Sequence, residues 1–186
     1  MTLRLQLALI LASTSLGLAA CVASPSDAQG QAKADAKNAA EAKTEPEAKS
    51  ATGPAFIAAG EGPVEELVEA ARATTEPAGQ QLVVYVGAHW CEPCQYFHDA
   101  VEAGSLDQAF PTLRLLEFDL DHDRDRLAKA GYSSRMIPLF VVPGPEGLAG
   151  PRRMEGGIKG PGAVDNISGR LGALLEAAAA DARSRQ

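Results

Sequence analysis

The chain reads as α/β, with a central mixed β-sheet flanked by helices. Two observations predict this class. Short apolar runs of strand character alternate with stretches of helical period, and the last two strand-like runs lie close enough in sequence to pair as a hairpin. Val64, Leu67, Val68 and Ala71 fall at i, i+3, i+4 and i+7, an amphipathic helix that Pro77 and Gly79 end. Leu82 to Val86 is an apolar run without polar alternation, which predicts a strand covered on both faces. A helix from about Pro93 to Ala103 follows, then a strand from Thr112 to Phe118. Asp125 to Ala130 reads as a short helix stopped by Gly131, and Leu139 to Val142 as another strand. Arg152 to Glu155 is expected as an edge strand. Val164 to Ala179 is the final helix, with Ile167, Leu171, Leu174 and Leu175 on one face.

These elements occupy only part of the 186 residues. Residues 1–20 carry one charge, Arg4, ahead of an apolar stretch that ends in small residues, the layout of a secretory signal. The run Leu18-Ala19-Ala20-Cys21 resembles a bacterial lipobox, which implies a lipid-bearing Cys21 as the first mature residue. Residues 21–52 are Ala, Lys, Glu, Gln, Ser and Pro with almost no large apolar side chain. Such a segment cannot bury enough surface to offset its ordering entropy, so a disordered tether is expected. One folded domain, 53–182, remains. The chain should therefore sit in the cell envelope, anchored to a membrane through the lipid and facing the periplasm or exterior.

The net charge of −7 resides in the folded part, where 12 basic face 19 acidic side chains from residue 53 onward. An acidic domain lacks the basic face that nucleic-acid binding requires, so that partner class is excluded. Three cysteines are too few for a disulfide scaffold, and an odd number cannot all pair within one chain.

The informative segment is His89-Trp90-Cys91-Glu92-Pro93-Cys94, where a buried strand gives way to a helix. Cysteines three apart at a helix start can close a small disulfide ring. Unsatisfied N–H groups and the positive end of the helix dipole stabilise a thiolate on Cys91. Cys94, one turn in, is more protected and suited to resolving a mixed disulfide.

At these residues the chain resembles the thioredoxin superfamily, and the resemblance spans nearly all of the folded part. Leu82 to Cys94 is similar to the family's central strand and Trp-Cys-x-x-Cys helix start. Tyr132 to Pro138 is similar to the segment that carries its cis-proline. The resemblance implies a thioredoxin-like fold and thiol–disulfide exchange at Cys91 and Cys94, with no cofactor beyond that pair and no metal. It implies that Trp90 shields the disulfide, and that Pro138 packs beside the cysteines while Ile137 offers its backbone to substrate. Protein thiols and disulfides are the implied substrates, and a monomer is expected. The sequence is most similar in kind to small bacterial thioredoxin-like lipoproteins and to the module that accepts electrons from a membrane reductant transporter.

Three departures from the family pattern bear on chemistry. The buried acid six residues before the first cysteine is replaced by Tyr85. Glu117 on the next strand could supply the carboxylate instead, or be an exposed strand residue; His98, at i+4 from Cys94, could assist proton transfer or be an exposed helical histidine. Glu92 stands between the cysteines beside Pro93, where a carboxylate disfavours the Cys91 thiolate and favours a reductant or isomerase over a primary oxidant. No inserted segment of the kind found in peroxidase-type relatives is present.

Two other functional classes compete. His89, Cys91, Cys94 and His98 offer two sulfur and two nitrogen donors for zinc or copper, though closing a tetrahedron from so local a set is awkward. A redox-inert binding module would keep the fold without turnover. Asp119 to Asp125 fails as a calcium loop, with Arg124 at the sixth position and Ala130 at the twelfth. It reads as a strand-to-helix turn, with Asp123 or Asp125 as N-cap. Tyr96 is expected at the surface or in packing.

Overall fold

The computed structural model describes residues 52–185. The expected signal, Cys21 and nearly all of the tether lie outside the described residues. Five strands form one sheet in the order β1-β3-β2-β4-β5. They are β1 (Ala55–Ala58), β2 (Gln81–Gly87), β3 (Leu113–Asp119), β4 (Leu139–Pro143) and β5 (Ala149–Glu155). The first three run parallel, and β4 and β5 are antiparallel to their neighbours. Helices α1 (Val64–Thr75), α2 (Glu92–Glu102), α3 (Leu120–Lys129) and α4 (Ala163–Ser184) cover the sheet.

Strand β2 is buried along nearly its whole length, as its unbroken apolar run predicts. Its alternate side chains serve two cores. Val83 and Tyr85 join Phe97 and Val101 of α2 and Ile167 and Leu171 of α4 on one face. Leu82, Val84 and Val86 meet Val64 and Val68 of α1 and Leu127 of α3 on the other. The helical stripes read from the sequence are the faces that these cores bury.

Several boundaries differ from expectation. Helix α3 begins five residues before Asp125, because Asp119, at the end of β3, is its N-cap and accepts from the Asp121 N–H at 2.7 Å. Asp123 is buried in the first turn and accepts in return from the Asp119 N–H at 2.9 Å, so neither Asp123 nor Asp125 is the cap. Gly131 follows the helix at φ +85°, a left-handed position that favours glycine. Strand β5 starts at Ala149, three residues before the expected edge strand, and α4 runs on to Ser184, past the expected domain end. Strand β1 has no counterpart in the sequence reading: Ala55-Phe56-Ile57-Ala58 is too short for its period to register, and it is a strand because β3 offers it a parallel edge.

Candidate active site

The site forms where β2 ends and α2 begins. Cys91 is the N-cap of α2 and Cys94 lies in its first turn; the two are joined in a disulfide with Cα atoms 5.2 Å apart. Both are buried, at 4% and 2% exposure, and pack with Ala88 against Ile137 and Leu120. The turn is fixed by the Cys91 N–H donating to the Ala88 carbonyl at 3.0 Å, and the helix by the Gln95 N–H donating to the Cys91 carbonyl at 3.0 Å. Pro93 sits within the first turn, where its missing N–H has no helical partner to lose.

Three surrounding groups define the open side. Trp90, next in sequence to Cys91, is 57% exposed, and its indole N–H donates to an Asp121 carboxylate oxygen at 2.7 Å, so the first turn of α3 holds the ring. On the opposite side the Ile137–Pro138 peptide bond is cis, with Pro138 buried at the entry to β4. The Gly156 N–H donates to the Pro138 carbonyl at 2.8 Å. Ile137 itself makes no hydrogen bond among the described residues, so its N–H and C=O are an unpaired backbone edge on a residue that packs against Cys91 and Cys94. The Glu92 carboxylate accepts from the Gly160 N–H at 3.0 Å, in the loop between β5 and α4. Part of its charge is met there, which moderates the repulsion that the sequence alone assigns to it.

Beside Cys94 lies an open cavity of about 460 Å³, also bordered by His98, Glu117, Tyr85 and Asp119. His98 Nε2 and Glu117 Oε1 are 2.7 Å apart, with both side chains about one-third exposed. The imidazole stacks on Phe56 of β1, ring centres 3.9 Å apart and planes 3° from parallel. His98 is thus a held, half-buried group and not a free surface histidine, in direct contact with Glu117. Tyr85, paired in register with Glu117, is fully buried and its hydroxyl has no hydrogen-bond partner. Burial, and secondly the charge of Glu117, push its pKa far above the ordinary phenol value, so it stays protonated. Phe56 and Asp121 are the neighbours that sequence reasoning missed. Phe56 sits in the unread strand β1, and Asp121 reaches Trp90 only because α3 starts early.

The rival donor set is not assembled. Cys91 and Cys94 are bonded to each other, and His98 is turned to Glu117. Among the described residues no three His, Cys, Asp or Glu side chains are grouped to hold a metal ion. Three of the four carboxylates of the acidic run are likewise engaged, Asp119 as cap, Asp121 with Trp90 and Asp123 with Arg126. A larger cleft of about 620 Å³ near Arg72, Arg152 and Asp181 shares no residue with the disulfide site.

A parallel β1-β3-β2 unit joined to an antiparallel β4-β5 hairpin, helices on both faces, a Cys-x-x-Cys disulfide at the start of α2 and a cis-proline opening β4 together decide the architecture. The fold is thioredoxin-like. No protein-family model matches the chain, and no curated protein matches it. Among solved structures it is similar to a thioredoxin of Trichomonas vaginalis, at 20% identity and a TM-score of 0.43, over 65% of this chain and 96% of that one. Thioredoxin O1 from Arabidopsis thaliana in its oxidised state matches at 18% identity and a TM-score of 0.34, over 58% of this chain and 86% of that one. The thioredoxin-like assignment rests on strand order, register and the placing of Cys91, Cys94 and Pro138. Among the described residues no helix is long and apolar enough to cross a membrane.

Proposed function

We propose that the protein is a thiol–disulfide oxidoreductase, acting outside the cytoplasm as a disulfide reductase or isomerase. The observation that carries this reading is the Cys91–Cys94 disulfide at the α2 N-terminus, with Cys94 bordering a cavity that also holds the His98–Glu117 pair. In the reducing direction the Cys91 thiolate, favoured by the helix N-terminus, attacks one sulfur of a substrate disulfide. That S–S bond breaks, one substrate thiolate leaves, and a mixed disulfide forms on Cys91. Cys94 then gives its proton to the His98–Glu117 pair and attacks the Cys91 sulfur; the second substrate thiolate leaves. Two electrons have passed to the substrate, the leaving thiolates take up two protons, and the protein disulfide is restored.

Protein thiols and disulfides are the substrate class, and a lipid on Cys21 would hold a monomer at the membrane. A membrane reductant transporter is the class of partner that would return electrons to the pair. The Glu92 carboxylate keeps the Cys91 thiolate less stabilised than a neutral residue would, even with Gly160 attached. The reduction potential should therefore lie nearer about −270 mV than about −120 mV, and a value above roughly −160 mV from titration against glutathione would reverse the assigned direction. Insulin reduction tests the activity itself: the wild type should be active and Cys91→Ser inactive, and equal rates would remove the basis for an enzyme. Trapping with Cys94→Ala, which cannot resolve the mixed disulfide, identifies the partners.

A further inference from the structure

The unpaired backbone edge of Ile137 lies in a loop that could not hold one geometry by its own packing. Ser133, Arg135 and Met136 are exposed and Ser134 is half-buried, so between the buried Tyr132 and the inward Ile137 and Pro138 the segment has little packing of its own. What fixes the loop is a pair of charged side chains two residues apart on β5, hence on the same face of that strand. The Arg153 guanidinium donates to the Ser133 carbonyl and, at 3.4 Å, to the Gly131 carbonyl. The Glu155 carboxylate accepts from the Ser134 hydroxyl and from the Arg135 N–H at 3.1 Å. The Ser134 oxygen in turn accepts from the Met136 N–H at 3.1 Å, so the chain of bonds runs from β5 to the residue before Ile137.

The far side of this clamp is itself fixed. Arg170 of α4 donates to the carbonyls of Glu155 at 2.9 Å and Gly156 at 2.7 Å, and the Gly156 N–H binds the Pro138 carbonyl. Backbone on both sides of Ile137 is therefore tied to one rigid strand end, while the Ile137 N–H and C=O are left free. Holding a free edge by charge-assisted bonds pre-orders it for a partner with its own backbone donors and acceptors.

We propose that Glu155, supported by Arg153, is a positioning residue that sets the Ile137 edge for an extended peptide segment carrying the target disulfide. It does not touch the reacting sulfur atoms, and a small disulfide that makes no backbone pairing has no need of it. The inference rests on the oxidoreductase reading above and deepens it by separating peptide substrates from small ones.

The test compares a cystine-containing peptide of about ten residues, long enough to lie as one strand, with hydroxyethyl disulfide, on wild type, Glu155→Ala and Ser134→Ala. Glu155→Ala should raise KM for the peptide about tenfold, the equivalent of one charge-assisted hydrogen bond, with kcat changed less than about twofold. Its rate with hydroxyethyl disulfide should match that of wild type. Ser134→Ala removes one donor from the loop side and should move the peptide KM in the same direction by less, which keeps the test open should Glu155→Ala fold poorly. An unchanged peptide KM in an active, folded variant overturns the proposal. So does a parallel loss with both substrates, which would mean only a structural role. A wild type inert toward both disulfides would instead overturn the oxidoreductase reading, and this proposal with it.

Discussion

Tyr85 stands where the resemblance places an acid, and replacing it by phenylalanine isolates what its hydroxyl does. The oxygen is fully buried and unpartnered, a situation that costs about 1–3 kcal/mol relative to an apolar group of the same shape. Against that gain, deleting the oxygen opens a void of roughly 10 Å³, worth about 0.2–0.3 kcal/mol. The hydroxyl is also crowded: a Cβ built on Gly87 would lie 2.6 Å from it, so glycine is what leaves it room. Tyr85→Phe should therefore stabilise the oxidised protein by about 1 kcal/mol, raising the urea midpoint by about 0.5 M and Tm by about 3–5 °C. Because the phenol stays protonated, the rate of peptide disulfide reduction should be unchanged. Equilibrium urea unfolding at pH 7 measures the first quantity and steady-state turnover the second. A less stable Tyr85→Phe would mean that the hydroxyl has a partner it needs, and a slower one that it takes part in proton movement; either refutes the reasoning.

Three further outcomes follow from particular contacts. His98→Ala should slow resolution of a mixed disulfide by Cys94 at least about tenfold while leaving the first attack by Cys91 intact; single-turnover release of a labelled peptide thiol separates the steps. The Glu155 carboxyl is held below its ordinary 4.5, chiefly by the Ser134 hydrogen bond; burial opposes this, and the Arg135 and Met136 N–H groups and Arg153 each add a lesser lowering. A depressed carboxyl contributes stability above its unfolded value and loses it as pH falls through the folded one, so the urea midpoint should drop below about pH 4.5. Glu155→Gln should lessen that drop, and identical acid profiles for the two proteins would count against it. Gly147→Ala should destabilise by more than about 2 kcal/mol, since the site has φ +70° and a Cβ there would lie 2.2 Å from the Glu65 carbonyl oxygen of α1; thermal unfolding checks it.

What was legible in the sequence was whatever long apolar periods and fixed spacings encode. Four helices, four of the five strands and the Cys91–Cys94 pair at a strand-to-helix junction are of that kind. The parts that escaped depend on neighbours distant in the chain. Strand β1 has only four residues, and its strand state is conferred by β3 some 60 positions later. The start of α3 was hidden because every second residue from Asp119 to Asp125 is an aspartate able to cap a helix, and only the tertiary position of β3 selects Asp119. The loop clamp on β5 joins Ser134 to a carboxylate 21 residues away, with no local signature. Cys94, His98 and Glu117 were each readable as candidates, but whether His98 and Glu117 meet depended on Phe56 in the strand that was missed.

That dependence also accounts for how the site can lack the acid at position 85. Tyr85 and Glu117 are register partners on adjacent parallel strands, so their side chains leave the same face of the sheet about 4.8 Å apart. Moving the carboxylate from β2 to β3 shifts it by one strand spacing without turning it away from the cavity. The shift takes it farther from Cys94, and a bridging group is then needed. His98 supplies it from the α2 side, one helical turn beyond Cys94, and the Phe56 ring beneath the imidazole limits its swing. Tyr85 occupies the β2 position with a phenol that burial keeps protonated. Placing a carboxylate at position 85 while removing that of Glu117, as in Tyr85→Asp with Glu117→Gln, separates location from identity. If the cavity needs only one carboxylate within reach of Cys94, the double variant should resolve mixed disulfides faster than Glu117→Gln alone. A rate equal to or below that of the single variant would show that the His98 bridge, and not the carboxylate, determines proton transfer.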